Sequence, residues 1–361
     1  MKLLVITQKV DINDDILGFF HGWIEKLAEK LESIDVICLQ EGKYDLPKNV
    51  SVYSLGKERF GSHNSHIFRK FAFLLKLYRY AWKLLPKNDL LFVHMNHRYI
   101  ILLWLLTKIF KKPIILWKTH RGRQPLLKTA IKLSKKVLTA SSLSLDYVDK
   151  KIKIIGHGIN TDLFSLKSYP NNEIKKIVSV GRISPIKNQL FLVKIAYYLI
   201  NELGFKNVKF EIIGEPKLKK DFLYFKKIKR LIREYNLSDY FVFKNKIPNR
   251  EMPKIYYNSE MLIDLAEKGG LDKAPLEAMA CGRIVFSCQP ALREVLGNYK
   301  KELSIDLKKP ENIARKIKKY LELKKQEKEK IGQDLREIII KKHSLDNLTD
   351  KLVEIFKSVI T

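Results

Sequence analysis

Val178-Ser179-Val180-Gly181-Arg182-Ile183-Ser184-Pro185-Ile186-Lys187-Asn188-Gln189 runs a buried apolar strand into a glycine, an arginine, a short loop and a lysine where a helix begins. In a parallel α/β sheet, ligands bind beyond the carboxyl ends of the strands. A helix that starts there offers free backbone N–H groups and the positive end of its dipole. Arg182 and Lys187, five residues apart, add two cations able to converge on an anion such as a diphosphate. As loop cations facing solvent, they are expected to contribute little to folding.

The same alternation extends outward in both directions. Toward the N-terminus, strand-like runs at 2–7, 34–39, 50–55, 90–94, 113–118 and 136–140 are separated by helix-like runs at 17–31, about 65–85, 99–110 and 125–133. A glycine turn, Ile155-Gly156-His157-Gly158-Ile159-Asn160, and a polar stretch holding Pro170, Asn171 and Asn172 interrupt the rhythm. It resumes with strands at 177–181, 208–214, 240–244, 261–265, 284–287 and 303–305, with helices at 188–203 and 217–235, and ends in a charged helical tail over 310–360. Short apolar strands between amphipathic helices predict parallel sheets covered on both faces. The fold class is α/β. At 361 residues the chain has the length of two domains.

Composition narrows the function classes. Hydrophobic residues make up 46% and aromatics 11%, enough for packed cores and too much for a disordered chain. Cys38, Cys281 and Cys288 lack CxxC spacing, which points to a reducing compartment with neither a disulfide framework nor a structural zinc site. The apolar start, residues 3–6, is shorter than a signal peptide needs, and the run 99–106 is far below the ~20 residues of a membrane span. The expectation is a cytoplasmic protein, soluble or lying on a membrane surface.

The formal charge is +30, from 69 Lys and Arg against 39 Asp and Glu. A biased genome would spread lysine evenly. Residues 57–136 instead hold 19 Lys and Arg against two acids, Glu58 and Asp89, which concentrates +17 there. Part of the excess therefore fits an anionic partner for this segment. On a helical wheel over 67–85, Arg69, Lys76, Arg79 and Lys83 share one face, with Phe71, Leu74, Leu75, Tyr78, Trp82 and Leu85 broadly opposite. Two readings are open: a sheet-covering helix with a basic outer face, or a surface that touches anionic lipid.

Several motifs are missing. No GxGxxG follows the first strand, and no GxxxxGK[ST] loop or GxSxG elbow occurs. His63-x-x-His66 and His94-x-x-His97 have spacing that fits a metal but no accompanying carboxylate or thiolate pattern, so no metal site is expected. A basic nucleic-acid-binding protein is the alternative that the charge suggests. No nucleic-acid-reading module supports it.

A second segment decides between the remaining possibilities. Ser259-Glu260-Met261-Leu262-Ile263-Asp264-Leu265-Ala266-Glu267-Lys268-Gly269-Gly270-Leu271-Asp272-Lys273-Ala274-Pro275-Leu276-Glu277-Ala278-Met279-Ala280-Cys281-Gly282 reads as strand, glycine loop and helix. With Ile155-Gly156-His157-Gly158-Ile159-Asn160…Phe164, Val180-Gly181-Arg182…Lys187 and Phe210-Glu211-Ile212-Ile213-Gly214-Glu215-Pro216, it resembles the family 4 glycosyltransferases, the group 1 glycosyltransferases of GT-B fold, over nearly the whole chain.

The resemblance implies two Rossmann-like domains facing a cleft. An acceptor-side domain is expected over 1–160 and a nucleotide-sugar domain over 161–344, with a C-terminal helix, about 345–361, packing back on the first. It implies a retaining, metal-independent hexosyltransferase that needs no cofactor. Its donor would be a nucleotide diphosphate sugar and its acceptor a hydroxyl, lipid-linked or polysaccharide, at the inner face of the cell membrane. A GT-B-fold epimerase is the enzyme alternative.

Carried over by residue, Arg182 and Lys187 match the pair that binds the donor diphosphate and steadies it as leaving group. His120 matches a histidine that faces the donor sugar, and Glu277 matches the carboxylate that accepts from the ribose. Gly214, Gly269, Gly270, Leu271, Asp272, Lys273 and Leu276 complete the expected donor-binding set, with Gly18 and Glu267 as further candidates. The chain departs from the family at one position. The first glutamate of the Glu-x7-Glu pattern would fall on Gly269, and Glu267 is two residues out of register. Asp272 is expected to replace that acceptor, with Lys273 on the phosphate or paired to Asp272. The alternative is that Asp272 only caps the helix carrying Glu277.

Overall fold

The computed structural model describes residues 1–59, 66–122 and 124–360, leaving aside the side chains of 66–69. The chain divides into two compact units. One comprises Met1–Gly158, Pro248–Arg250 and Leu345–Thr361, and the other Ile159–Ile247 and Glu251–Ser344.

The first unit begins with β1 (Lys2–Val10), α1 (Gly18–Ala28), β2 (Ser33–Glu41), β3 (Val50–Ser54) and α2 (His66–Leu84). It continues through β4 (Leu90–His94), α3 (Arg98–Ile109), β5 (Ile114–Trp117), α4 (Leu127–Leu133), β6 (Lys136–Thr139) and β7 (Ile152–Ile154). All seven strands are parallel, in the order β3-β2-β1-β4-β5-β6-β7. Alternation along β1 explains why both faces are covered. Leu3 and Val5 enter one core with Phe20 and Trp23, while Leu4 and Ile6 enter the other with Leu77 and Ile100.

The second unit holds β8 (Lys175–Val180), α5 (Gln189–Tyr197), β9 (Val208–Ile213), α6 (Lys219–Glu234), β10 (Phe241–Lys244) and α7 (Met252–Tyr257). β11 (Met261–Asp264), α8 (Lys273–Ala280), β12 (Ile284–Ser287), α9 (Pro290–Val295), α10 (Lys300–Leu303), α11 (Pro310–Leu321) and α12 (Lys325–His343) complete it. Its five parallel strands run β10-β9-β8-β11-β12. α13 (Leu345–Ile360) returns to the first unit, where Leu348, Leu352 and Phe356 join the core of Trp23.

In both sheets the strand order reverses once, between β1 and β4 and between β8 and β11. Loops leaving neighbouring strands at such a point diverge and open a crevice at the carboxyl edge. In the second unit, the loops after β8 and β11 are those carrying Arg182, Lys187 and Asp272.

The structure corrects three local expectations. The strand at 303–305 is absent: Leu303 closes α10, and Ser304 makes only a single bridge to Ser287. With Leu303 held in α10, the segment meets β12 at one bridge and one backbone hydrogen bond, Ile305 N–H to the Ser287 carbonyl, and does not continue into a ladder. The helix at 188–203 ends at Tyr197 and passes into a π-turn, Tyr198–Glu202. In α2, full burial falls on Leu77, Ala81 and Leu84, at helical spacing, with Phe73 and Tyr80 partly buried against the same core. Of the apolar set that the sheet-covering reading would place on the core, Leu85 is buried and Leu74 half-buried, whereas Phe71, Leu75, Tyr78 and Trp82 are exposed. Of the histidine pairs, His63 and the side chain of His66 lie outside the described residues, as does the side chain of Arg69.

Candidate functional site

Two glycines shape the loops beyond β8 and β9. Gly181 and Gly214 both have φ of +136°, a region that disfavours side chains. A Cβ on Gly214 would stand 2.2 Å from the Gly181 carbonyl oxygen, so the two loops approach as closely as backbone allows. A Cβ on Gly181 would sit 3.0 Å from Lys187 Cε. Gly181 therefore leaves room for the Lys187 stem to fold back over the strand end.

Lys187 closes a 3-10 turn, Pro185–Lys187, and Asn188, in the left-handed region at φ +53°, hands the chain to α5. Its Nζ lies 2.6 Å from Asp272 Oδ2 and 3.7 Å from Asp264 Oδ1. Burial works against the Lys187 charge, but Asp272 and Asp264 outweigh it and hold the ammonium above the usual lysine range. Asp264 ends β11 and accepts a 3.1 Å hydrogen bond from Ser287 Oγ at the end of β12. Burial pushes its carboxyl up to about 6, against the pull of Lys187. Lys187 is thus the counter-ion of two carboxylates at the sheet edge. This corrects its reading as a solvated loop cation with little weight in folding.

Asp272 occupies the N-cap position of α8 with extended backbone, but its side chain makes no capping bond. The carboxylate turns toward Lys187 and also accepts from Gln289 Nε2 at 3.1 Å. Gln289, fully buried, returns the contact by accepting from the Asp272 N–H at 3.2 Å. Gln289 went unnoticed in the sequence, because only the β11–β12 pairing brings it to this loop. Gly269 has φ +140°, and a Cβ there would meet only Gln289 Nε2 at 4.0 Å. Glycine is needed here for backbone conformation rather than for space. Gly270 and Lys273 are half-buried, Leu271 is buried and Glu267 exposed.

Arg182 leaves β8 on the other side. Its Nε lies 3.8 Å from Asp221 Oδ2 and its side chain is 44% exposed, so most of its donors are free to reach a ligand. Asp221 is itself fully buried at the start of α6, where it accepts from the Leu218 N–H at 3.0 Å.

Glu277 lies on α8 and is buried, with Tyr256 Oη donating to its Oε2 at 3.1 Å. Burial and then Glu277 push the Tyr256 hydroxyl well above its ordinary range, so it remains a donor. The Phe164 ring lies tilted against Tyr256 with centroids 6.1 Å apart, which gives that motif position a packing role. Leu276, facing the core, is fully buried.

The remaining candidates belong to the first unit. His120 follows β5 and is exposed; burial and the neighbouring Lys118 both hold its imidazole below the ordinary histidine value, favouring the neutral ring. Gly18 opens α1, where a Cβ would stand 3.2 Å from the Ile12 carbonyl oxygen. The loop before it is organised by Asp14, which accepts from the Ile16 and Leu17 N–H groups and pairs with Lys9. His94 Nδ1 meets Thr7 Oγ1 at 3.1 Å, and His97 Nε2–H donates to the Pro125 carbonyl oxygen at 2.9 Å. Among the described residues, no group of three or more His, Cys, Asp or Glu is placed to hold a metal.

A parallel sheet whose strand-end loops present a lysine, an arginine and a helix carrying a buried glutamate is a nucleotide-binding arrangement, and residues 162–337 match the family of glycosyl transferases, group 1. The chain carries a group 1 glycosyltransferase domain. No curated protein matches this chain in sequence. Among solved structures, HepE of Anabaena, in complex with UDP and glucose, aligns with a TM-score of 0.77 at 16% identity, over 99% of this chain and 100% of that one. Sucrose-phosphate synthase of Thermosynechococcus elongatus aligns with a TM-score of 0.77 at 14% identity, over 99% and 98%. A glycosyltransferase of Rickettsia africae gives 0.76 at 15%, over 100% and 98%. The fold is GT-B, and the glycosyl transferase family match falls on residues 162–337, almost all of them in the second unit.

Proposed function

We propose that the protein is a retaining, metal-independent hexosyltransferase that moves a sugar from a nucleoside diphosphate to a hydroxyl acceptor. The observation that carries this reading is the pair of cations at the carboxyl end of β8, with Lys187 drawn over the strand end by Asp264 and Asp272. In the transfer, the bond between the anomeric carbon and the β-phosphate oxygen breaks, and its electron pair leaves with the diphosphate. The acceptor oxygen bonds to the anomeric carbon. Its proton goes to the newly charged diphosphate oxygen, the base nearest to hand. Cations already in place stabilise that developing charge without reorganising at the moment of reaction.

Glu277 has an acceptor oxygen suited to a ribose hydroxyl, with Tyr256 fixing the carboxylate's orientation. Asp272 stands where an acceptor for sugar hydroxyls is needed, since Gly269 has no side chain to offer. His120, neutral at physiological pH, serves the donor sugar as a hydrogen-bonding group. The concentration of positive charge in 57–136 supports an anionic membrane surface as the workplace. A lipid-linked acceptor in cell-surface polysaccharide or glycolipid synthesis follows from that, at the cytoplasmic face.

A thermal-shift and hydrolysis screen of nucleoside diphosphates and their sugars tests the reading. At least one nucleoside diphosphate sugar should stabilise the protein, and Arg182→Ala should remove about 10²–10³ of its turnover, the usual weight of one charge-stabilising donor. Unchanged turnover in Arg182→Ala, or stabilisation by none of the donors, overturns it.

A further inference from the structure

We infer that α2 and α3 form one lipid-inserting face, on which aromatic and aliphatic side chains enter the outer part of an anionic bilayer while a basic rim holds the phosphates. The inference deepens the membrane-side reading proposed above and rests on it.

The face is built from two stripes. On α2, Phe71, Leu75, Tyr78 and Trp82 fall within about 60° of one another at 100° per residue. Phe71, Leu75 and Trp82 are 60%, 56% and 59% exposed. On α3, Leu105 and Ile109 are 62% and 54% exposed and share one side of that helix. Two contacts join the stripes: Tyr78 Oη donates to the Leu102 carbonyl at 2.7 Å, and the rings of Trp82 and Phe110 meet edge-to-face at 5.3 Å. Scattered exposed apolar residues are ordinary; a continuous set on two adjoining helices marks an interaction surface.

Charge selects the occupant. Neither α2 nor α3 contains an acidic residue, whereas Lys76, Arg79 and Lys83 flank the α2 stripe and Lys108, Lys111 and Lys112 lie at the end of α3. A second copy would set this cationic rim against its own kind, which disfavours self-association. A bilayer rich in acidic headgroups satisfies both parts, taking the apolar stripe into its acyl boundary and the rim at its phosphates. Tryptophan and tyrosine beside lysine and arginine suit that boundary, having an apolar body and a polar tip. Among the described residues no helix is long and apolar enough to cross a membrane, so this face would lie on the bilayer.

The full chain is tested by flotation with vesicles of phosphatidylcholine, alone and with phosphatidylglycerol, and by tryptophan quenching with brominated acyl chains. Neither vesicle contains a sugar acceptor, and donor binding is read separately by thermal shift, so a failure here leaves the transfer reading standing and the converse. The wild type should float only with phosphatidylglycerol, with its emission quenched. Trp82→Phe should keep binding and lose part of the quenching, and Trp82→Phe with Trp104→Phe should lose most of it, since Trp104 is also exposed on α3 while Trp23 and Trp117 are buried. Phe71→Ser with Trp82→Ser, at exposed positions, should lower partitioning at least tenfold. Lys76→Glu, Arg79→Glu and Lys83→Glu together should lower it more, about fivefold for each charge even before reversal is counted. Equal partitioning onto neutral and acidic vesicles overturns the inference. So does salt-sensitive binding without quenching, which means adsorption of charge alone. A chain that stays off every vesicle, or that self-associates through Phe71 and Trp82 instead, overturns it as well.

Discussion

Removing Lys187 should unfold the second unit more readily, and the cost should depend on pH. The ammonium sits between Asp264, 5% exposed, and Asp272, 35% exposed, with its own side chain 19% exposed. Taking one partner from a buried ion pair costs about 3–5 kcal/mol, because the other charge remains desolvated. Asp272 keeps partial contact with water, so the lower end, about 3 kcal/mol, applies to Lys187→Ala at pH 8. For a unit of this size that corresponds to roughly 6–12 °C in Tm.

The sign of the pH dependence follows from Asp264. Its folded carboxyl is raised to about 6 from the ordinary 3.8, first by burial. A raised carboxyl favours the folded state fully below its unfolded value, and that contribution is lost as pH rises from 3.8 through about 6. Lys187 limits the rise, so without it the loss is larger and extends to higher pH. At pH 5 the variant's Asp264 is protonated and neutral. The remaining penalty is then the exposed Asp272 contact, under about 1 kcal/mol. Calorimetry of Lys187→Ala at pH 5 and pH 8 measures both, with each transition followed separately, because a chain of two units need not melt in one step. Arg182→Ala is the control, expected to stay within about 1 kcal/mol of wild type at both values, since its contact is long, 3.8 Å, its side chain is 44% exposed, and buried Asp221 keeps its hydrogen bonds from the Lys217 and Leu218 N–H groups. Equal destabilisation of Lys187→Ala at pH 5 and pH 8, or a Tm at pH 8 within a degree or two of wild type, would refute the counter-ion reasoning.

Asp272→Asn removes the strongest competitor for the lysine while keeping the Gln289 contact geometry; isothermal titration should show a nucleoside diphosphate bound several-fold more tightly, with sugar transfer reduced. If the substitution leaves both unchanged, Asp272 has no part in the site. The glycines separate space from backbone strain. Gly214→Ala, at 2.2 Å from a carbonyl oxygen, should prevent the loops from closing and destabilise well beyond the roughly 1–3 kcal/mol of backbone strain alone. Gly269→Ala, with open space around it, should cost only that strain, and the two are compared by urea denaturation.

Alternating strands and helices were legible because each is a local pattern. β4 at Leu90–His94 and β12 at Ile284–Ser287 coincide with apolar runs of that length, and parallel strands covered on both faces must be apolar throughout. The loop after β8 was readable as an element: a strand end, a glycine and two cations within seven residues mark a cationic strand-end turn, though not the carboxylates that hold Lys187. The segment at 303–305 had the same local appearance and failed, since pairing also requires a neighbour along its whole length. In α2 the wheel separated charge from hydrophobicity, but not the buried stripe of Leu77, Ala81 and Leu84 from the exposed stripe of Phe71, Leu75 and Trp82.

What Lys187 does between ligands was decided only by tertiary structure. Its partners Asp264 and Asp272 lie 77 and 85 residues away, and they meet it because β11 pairs with β8 at the point where the strand order reverses. Gln289 reaches Asp272 because β12 lies beside β11, and Tyr256 reaches Glu277 from a separate helix. Periodicity and turn chemistry act over a few residues, so sequence alone determined the elements and the cationic loop. Coulombic and hydrogen-bonding partners act over a few ångströms of space, and which residues come that close is settled only by the order in which the strands assemble.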